Sequence, residues 1–163
     1  MKNVKNKETL HEIAVYLLFG ILTTVVSMGT YFGVLWMGES LFNLSPESLV
    51  FNVVRVVAEI LQWVLAVLFA FFTNKKWVFK NADDSLSTGN QLLRFSASRL
   101  ATLGLDALIT FGSLAALQIV NYSPFDLVGI TVSADIVAKL IASVVVVISN
   151  YVLSKMFVFK KAK

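Results

Sequence analysis

The chain has no cysteine, one histidine and two prolines in 163 residues. Without cysteine there can be no disulfide, no thiol nucleophile and no thiolate metal site. His11 alone cannot build a metal cluster, and beside Glu12 it reads as a marker of a membrane surface. Charge is scarce too. Asp, Glu, Lys and Arg make up 15% of the residues, where soluble domains carry about a quarter, and 57% are hydrophobic. No nucleophile–base constellation, no carboxylate pair suited to a water-exposed cleft and no phosphate loop is present. The expectation is a protein that is not an enzyme, with no cofactor, no metal and no nucleic-acid partner.

What the chain does have is long apolar runs. From Ile13 to Gly38 there is no charge at all, enough to cross a hydrocarbon core that needs roughly 20 helical residues. Three more stretches are mostly apolar, at about 49–73, 95–120 and 127–153. A cleaved signal peptide would show an apolar region of ~7–15 residues before a small-residue site. Here the first run is longer and continues into Trp36-Met37-Gly38-Glu39. The reading is an all-α integral membrane protein, one membrane domain over 1–163 with four transmembrane helices.

The cations set its orientation, because Lys and Arg collect on the cytoplasmic side. Lys2, Lys5 and Lys7 precede the first span. Lys75, Lys76, Lys80 and Arg94 lie between the second and third, and Lys155, Lys160, Lys161 and Lys163 follow the fourth. The loops at Glu39–Glu47 and Asn121–Asp126 hold no Lys or Arg. Both termini are therefore expected in the cytoplasm of a multi-pass protein of the cytoplasmic membrane. The polar, Ser/Thr/Gly/Asn-containing stretch 80–94 reads as a flexible cytoplasmic connector.

The sequence also repeats. Asn74-Lys75-Lys76-Trp77-Val78-Phe79-Lys80 returns 80 residues later as Ser154-Lys155-Met156-Phe157-Val158-Phe159-Lys160, each copy closing an apolar run. Asn43-Leu44-Ser45-Pro46 in one outer loop returns as Asn121-Tyr122-Ser123-Pro124 in the other. These triplets formally match a glycosylation acceptor, but they hold both prolines at turns between helices, and a turn signal is the preferred reading. The architecture implied is two helical hairpins repeated in parallel.

Charges inside the spans cost roughly 2.5–3.5 kcal/mol each at mid-bilayer and call for a reason. Six stand out: Arg55 and Glu59, Arg99 and Asp106, Asp135 and Lys139. The first and last pairs are four apart, so each shares a helix face. At the 80-residue offset Arg55 matches Asp135 and Glu59 matches Lys139, with signs exchanged. If the halves face each other, these groups meet as neutral pairs. They could serve as helix glue or line a polar groove for a charged or sugar-bearing group, and the two are compatible. Asn150 extends the stripe of Asp135 and Lys139, and Gln62 extends that of Arg55 and Glu59. Trp36, Trp77, Phe79, Phe157 and Phe159 read as an interfacial aromatic belt, Trp63 as packing, and Gly29/Gly33 as a small-xxx-small pair for close helix contact.

These residues resemble the GtrA-like family of small four-helix membrane proteins. Asn74-Lys75-Lys76-Trp77-Val78-Phe79 is similar to its Asn-Arg/Lys-X-Trp-Val-Phe motif after the second span. Asn150 to Phe159 is similar to the counterpart after the fourth, and Arg94-Phe95 with Arg99 resembles the entry to the third. Lys75 stands where Arg is frequent, and Met156-Phe157 where a basic residue and Trp are usual. The likeness runs from about Tyr16 to Lys160. It implies a role in cell-surface polysaccharide or teichoic acid glycosylation, with a polyprenyl-phosphate-linked sugar, membrane lipid and a membrane glycosyltransferase as partners.

On that resemblance the leading expectation is flippase-like translocation of the lipid-linked sugar. Asn74, Lys75, Arg94, Arg99 and Lys155 would receive it at the inner face. Arg55, Glu59, Asp106, Asp135, Lys139 and Asn150 would line its way across. The alternative is a non-catalytic subunit scaffolding a polyprenyl-phosphate glycosyltransferase. A proton-coupled exporter of small cations ranks below both, since each acid has a candidate cationic partner. Four helices barely enclose a path for a sugar headgroup, which makes a homo-oligomer a candidate assembly.

Overall fold

The computed structural model describes residues 2–43, 45, 47–80 and 86–159, with side chains from Lys7 onward except that of Ile130. Leu44, Pro46, the connector residues 81–85 and the terminal cations Lys160, Lys161 and Lys163 lie outside it. Four long helices dominate: α1 (Lys2–Ser40), α2 (Leu49–Thr73), α3 (Thr88–Ile119) and α4 (Ala134–Leu153). All four are long and apolar enough to cross a membrane. The chain divides near residue 83 into two compact units, α1 with α2 and α3 with α4. Each unit is a helical hairpin.

Short polar side chains at the helix ends set the boundaries. Ser48, Ser87 and Ser133 cap α2, α3 and α4, their hydroxyl oxygens accepting from the N–H groups of Phe51, Asn90 and Ile136. Such caps contribute about 1 kcal/mol each. In the loops that join the helices of each hairpin, Asn43 and Asn121 both take left-handed backbone, at φ 50° and 52°, which Asn tolerates better than most residues. Beyond α3 the Tyr122 N–H bonds Leu117 O at 2.9 Å and the Asn121 N–H bonds Gln118 O at 3.1 Å, a Schellman ending that satisfies the last carbonyls. Asn121 therefore stops α3, in line with a turn signal, while Asn43 turns the chain three residues beyond the end of α1.

Three boundaries differ from the sequence reading. α1 starts well before residue 13, and α3 starts at Thr88 rather than 95, so the connector ends at the Ser87 cap. α4 starts at Ala134 rather than 127. The residues before it form a two-stranded antiparallel ribbon, β1 (Phe125–Leu127) and β2 (Ile130–Val132), with Leu127 opposite Ile130. Val128 (φ 50°) and Gly129 (φ 79°) make its two-residue turn. That conformation suits Gly but strains a β-branched side chain.

The repeated cationic-aromatic segments are a second departure from plain helix. α2 runs into a five-residue π turn at Asn74–Val78, and α4 into another at Ser154–Val158. Each closes with the same bond at 2.8 Å, Phe79 N–H to Asn74 O and Phe159 N–H to Ser154 O. In the first hairpin the loop end is tight at Gly38, where a Cβ would lie 3.2 Å from the side chains of Phe51 and Val54. In the second, Phe95 and Phe159 are buried with ring centroids 6.1 Å apart.

Candidate functional site

The second hairpin joins its helices through polar side chains at two levels. Lys139 Nζ donates to Asp106 Oδ2 at 2.5 Å, and Thr102 Oγ1 donates to Asn150 Oδ1 at 2.9 Å. Asp106 and Thr102 sit one turn apart on α3, and Lys139 and Asn150 about three turns apart on α4. The pair is not sealed in, since the Lys139 side chain is 59% exposed and that of Asp106 27%. Asp135, read as part of the same stripe, lies in the first turn of α4. There a carboxylate meets the positive end of the helix dipole. The late start of α4 thus moves Asp135 from inside the span to its edge.

At the π-turn end of this hairpin the expected cations gather. Arg94 Nη1 donates to Phe157 O at 3.4 Å, tying the start of α3 to the π turn. Arg99 lies over the Phe95 ring at 4.5 Å. Lys155 donates to Tyr151 Oη at 2.8 Å and sits 5.1 Å from that ring's centroid. Cations against aromatic faces are attracted to the ring quadrupole. Arg94, Arg99, Lys155 and Asn150 therefore share one end of one hairpin.

The first hairpin joins its helices at mid-span through a hydroxyl and an amide. Ser27 Oγ donates to Gln62 Oε1 at 2.9 Å, and Gln62 Nε2 donates to Glu59 Oε2. Arg55 donates to Asn52 Oδ1 at 2.8 Å and lies over the Phe51 ring. At the π-turn end Asn74 is buried, and its Oδ1 makes no hydrogen bond among the described residues. Lys75 is half-buried. Lys76 sits over Trp77, whose ring stacks on Phe19 at 5.1 Å and 18°.

The sign exchange predicts Glu59 facing Lys139. Within their own hairpins these residues bond Gln62 and Asp106. The adjacent antiparallel helix, tied by a short loop, offers Lys139 a carboxylate at no extra cost in chain ordering. Sequence reasoning missed Ser27, Thr102 and Tyr151, because a lone hydroxyl in an apolar helix has no signature. The repeat could have found one of them. Ser27 precedes Asp106 by 79 residues, although its partner Gln62 corresponds at the 80-residue offset to Ala142 and not to Lys139.

Four apolar helices with polar bridges inside two hairpins define a multi-pass membrane protein. A family model described as the GtrA/DPMS transmembrane domain matches residues 15–160, and the chain belongs to that family. It is 30% identical over 149 residues to the uncharacterized membrane protein YwcD of Bacillus subtilis (strain 168), covering 91% of this chain and 96% of that one. It is 27% identical over 157 residues to the cell wall teichoic acid glycosylation protein GtcA of Listeria innocua serovar 6a, covering 96% and 90%. The GtcA of Listeria monocytogenes serovar 1/2a gives the same identity and coverage. No solved structure matches the chain.

Proposed function

We propose that the protein carries a polyprenyl-phosphate-linked sugar across the cytoplasmic membrane for cell-surface polysaccharide or teichoic acid glycosylation, without catalysing a reaction itself. The observation that carries this reading is the Lys139–Asp106 pair on lipid-spanning helices. Intramembrane ionisable residues mark substrate pathways by default, and neither topology nor an interfacial belt requires a cation at Lys139. The likeness to proteins named for teichoic acid glycosylation supports the pathway. In this account the π-turn end faces the cytoplasm, where Lys75, Lys76, Arg94, Arg99 and Lys155 attract the phosphate. The polar side chains of the spans then take over the headgroup while the polyprenyl tail stays in lipid.

Replacing Lys139 with Met tests this. The expected outcome is loss of surface glycosylation with the protein still inserted in the membrane. Normal glycosylation in that variant contradicts the carrier. The second reading, a subunit that scaffolds a glycosyltransferase, is favoured by the same pair taken as helix glue. A double replacement, Lys139→Met with Asp106→Leu, separates the two. It removes the charges while keeping the helices apolar, so a scaffold works normally and a carrier does not. Orientation is checked independently, since the chain lacks cysteine. A single Cys at Lys80 should react only from the cytoplasmic side, and one at Ser123 only from outside.

A further inference from the structure

Hydroxyls inside the spans of the first hairpin turn mostly to their own backbone. Thr23 bonds Phe19 O, Thr24 bonds Gly20 O and Thr30 bonds Val26 O, at 2.7, 3.2 and 2.8 Å. Its polar bridge closes on itself through Ser27, Gln62 and Glu59. In the second hairpin Ser98, Thr102 and Ser143 likewise bond Phe95 O, Arg99 O and Lys139 O, at 2.7, 3.0 and 2.7 Å, but two other hydroxyls do not. Thr110 Oγ1 and Ser154 Oγ are buried, yet make no hydrogen bond among the described residues. They sit at the two ends of its polar line. Ser154 is one turn beyond Asn150 on the π-turn side, and Thr110 one turn beyond Asp106 on the outer side. From Ser154 to Lys139 is about 22 Å of helix, and from Asp106 to Thr110 about 6 Å more. Crossed at the Thr102–Asn150 bridge instead, the line is about 18 Å long, so it covers well over half of a hydrocarbon core roughly 30 Å thick.

We infer that the headgroup crosses along the second hairpin alone, with Ser154 Oγ and Thr110 Oγ1 as the first and last stations for sugar hydroxyls. The inference rests on the carrier reading and adds which half does the carrying. A hydroxyl both donates and accepts, as a sugar hydroxyl does, so an unpartnered one in a dry span suits a ligand that brings its own hydroxyls. Between the stations the Thr102–Asn150 and Lys139–Asp106 bridges can open to the passing headgroup, and Lys139 is the line's cation for the phosphate. The first hairpin keeps an unpartnered atom at its π turn, Asn74 Oδ1, which lets it share in capture at that end.

The test uses the full-length protein in vesicles loaded on one leaflet with a polyprenyl-phosphate hexose tritiated in the sugar. Leaflet exposure is read by impermeant periodate. Thr110→Val, which removes only the hydroxyl, should slow translocation at least tenfold, and Ser154→Ala should do likewise. Thr110→Ser should restore the rate, separating a lost hydroxyl from a damaged fold. Thr30→Val, the same change in the first hairpin, should stay within twofold of wild type. Equal rates for Thr110→Val and Thr30→Val in an active wild-type background overturn the inference and leave the carrier standing. A wild-type protein that moves no probe overturns both.

Discussion

The two hairpins are built alike and bridged differently. Each pairs a long helix with one that ends in a π turn opening on a buried polar residue, Asn74 or Ser154. Midway, one is bridged by serine and glutamine, the glutamine also holding Glu59 of its own helix, and the other by a lysine–aspartate ion pair. A neutral bridge between membrane helices contributes only about 0.6 kcal/mol. A charge that loses its partner there costs roughly 2.5–3.5 kcal/mol. Helix association alone would be served by a serine–glutamine bond in both halves. The costlier bridge, with unpartnered hydroxyls beyond it, therefore points to the second hairpin as the working half.

The comparison breaks first at Lys139. Lys139→Met leaves Asp106 unpaired and should lower the unfolding free energy in detergent by about 3 kcal/mol. The Lys139→Met/Asp106→Leu double variant should recover most of that loss without recovering glycosylation. A single change that leaves stability untouched would mean the pair is not formed. Next comes the loop joining the helices of each hairpin, where among the described residues only the second carries a ribbon. Val128→Asn replaces a β-branched residue at φ 50° by one that tolerates left-handed backbone. It should stabilise the ribbon by about 1 kcal/mol, seen as slower amide exchange across β1 and β2. Faster exchange would show that the valine side chain holds the turn. The smallest effects sharpen the contrast between bridges. Ser27→Ala and Thr102→Val each remove one neutral interhelical bond and should cost about 0.6 kcal/mol, measured by thermal unfolding. A cost for Ser27→Ala near that of Lys139→Met would erase the distinction between the halves.

Much of this was legible beforehand. Four spans followed from uncharged runs such as Ile13–Gly38, since hydrocarbon thickness fixes how long an apolar helix must be. The cations at the π-turn ends were visible for the same reason. The ribbon was not, because Phe125–Val132 is as apolar as a helix start, and its turn rests on left-handed backbone at Val128 rather than on a favoured Asn-Gly pair. The π turns were hidden as well. The repeated segment named their location, but an i to i−5 bond leaves no mark in residue type. Lys139 stood out as a charge inside a span, while its bond to Asp106 depended on helix packing that spacing along one helix cannot convey. Thr110 drew no notice and Ser154 only as the first residue of a repeated segment, because an unsatisfied hydroxyl is a property of surroundings.

Leaflet-resolved labelling of a polyprenyl-phosphate hexose, in vesicles holding the purified wild-type chain and nothing else, tests the central claim most directly. The account predicts that the sugar appears on the far leaflet well above the rate in protein-free vesicles, and that Lys139→Met abolishes the difference. A rate no higher than in protein-free vesicles, from protein that co-purifies with a glycosyltransferase in cells, would contradict it and favour the scaffold.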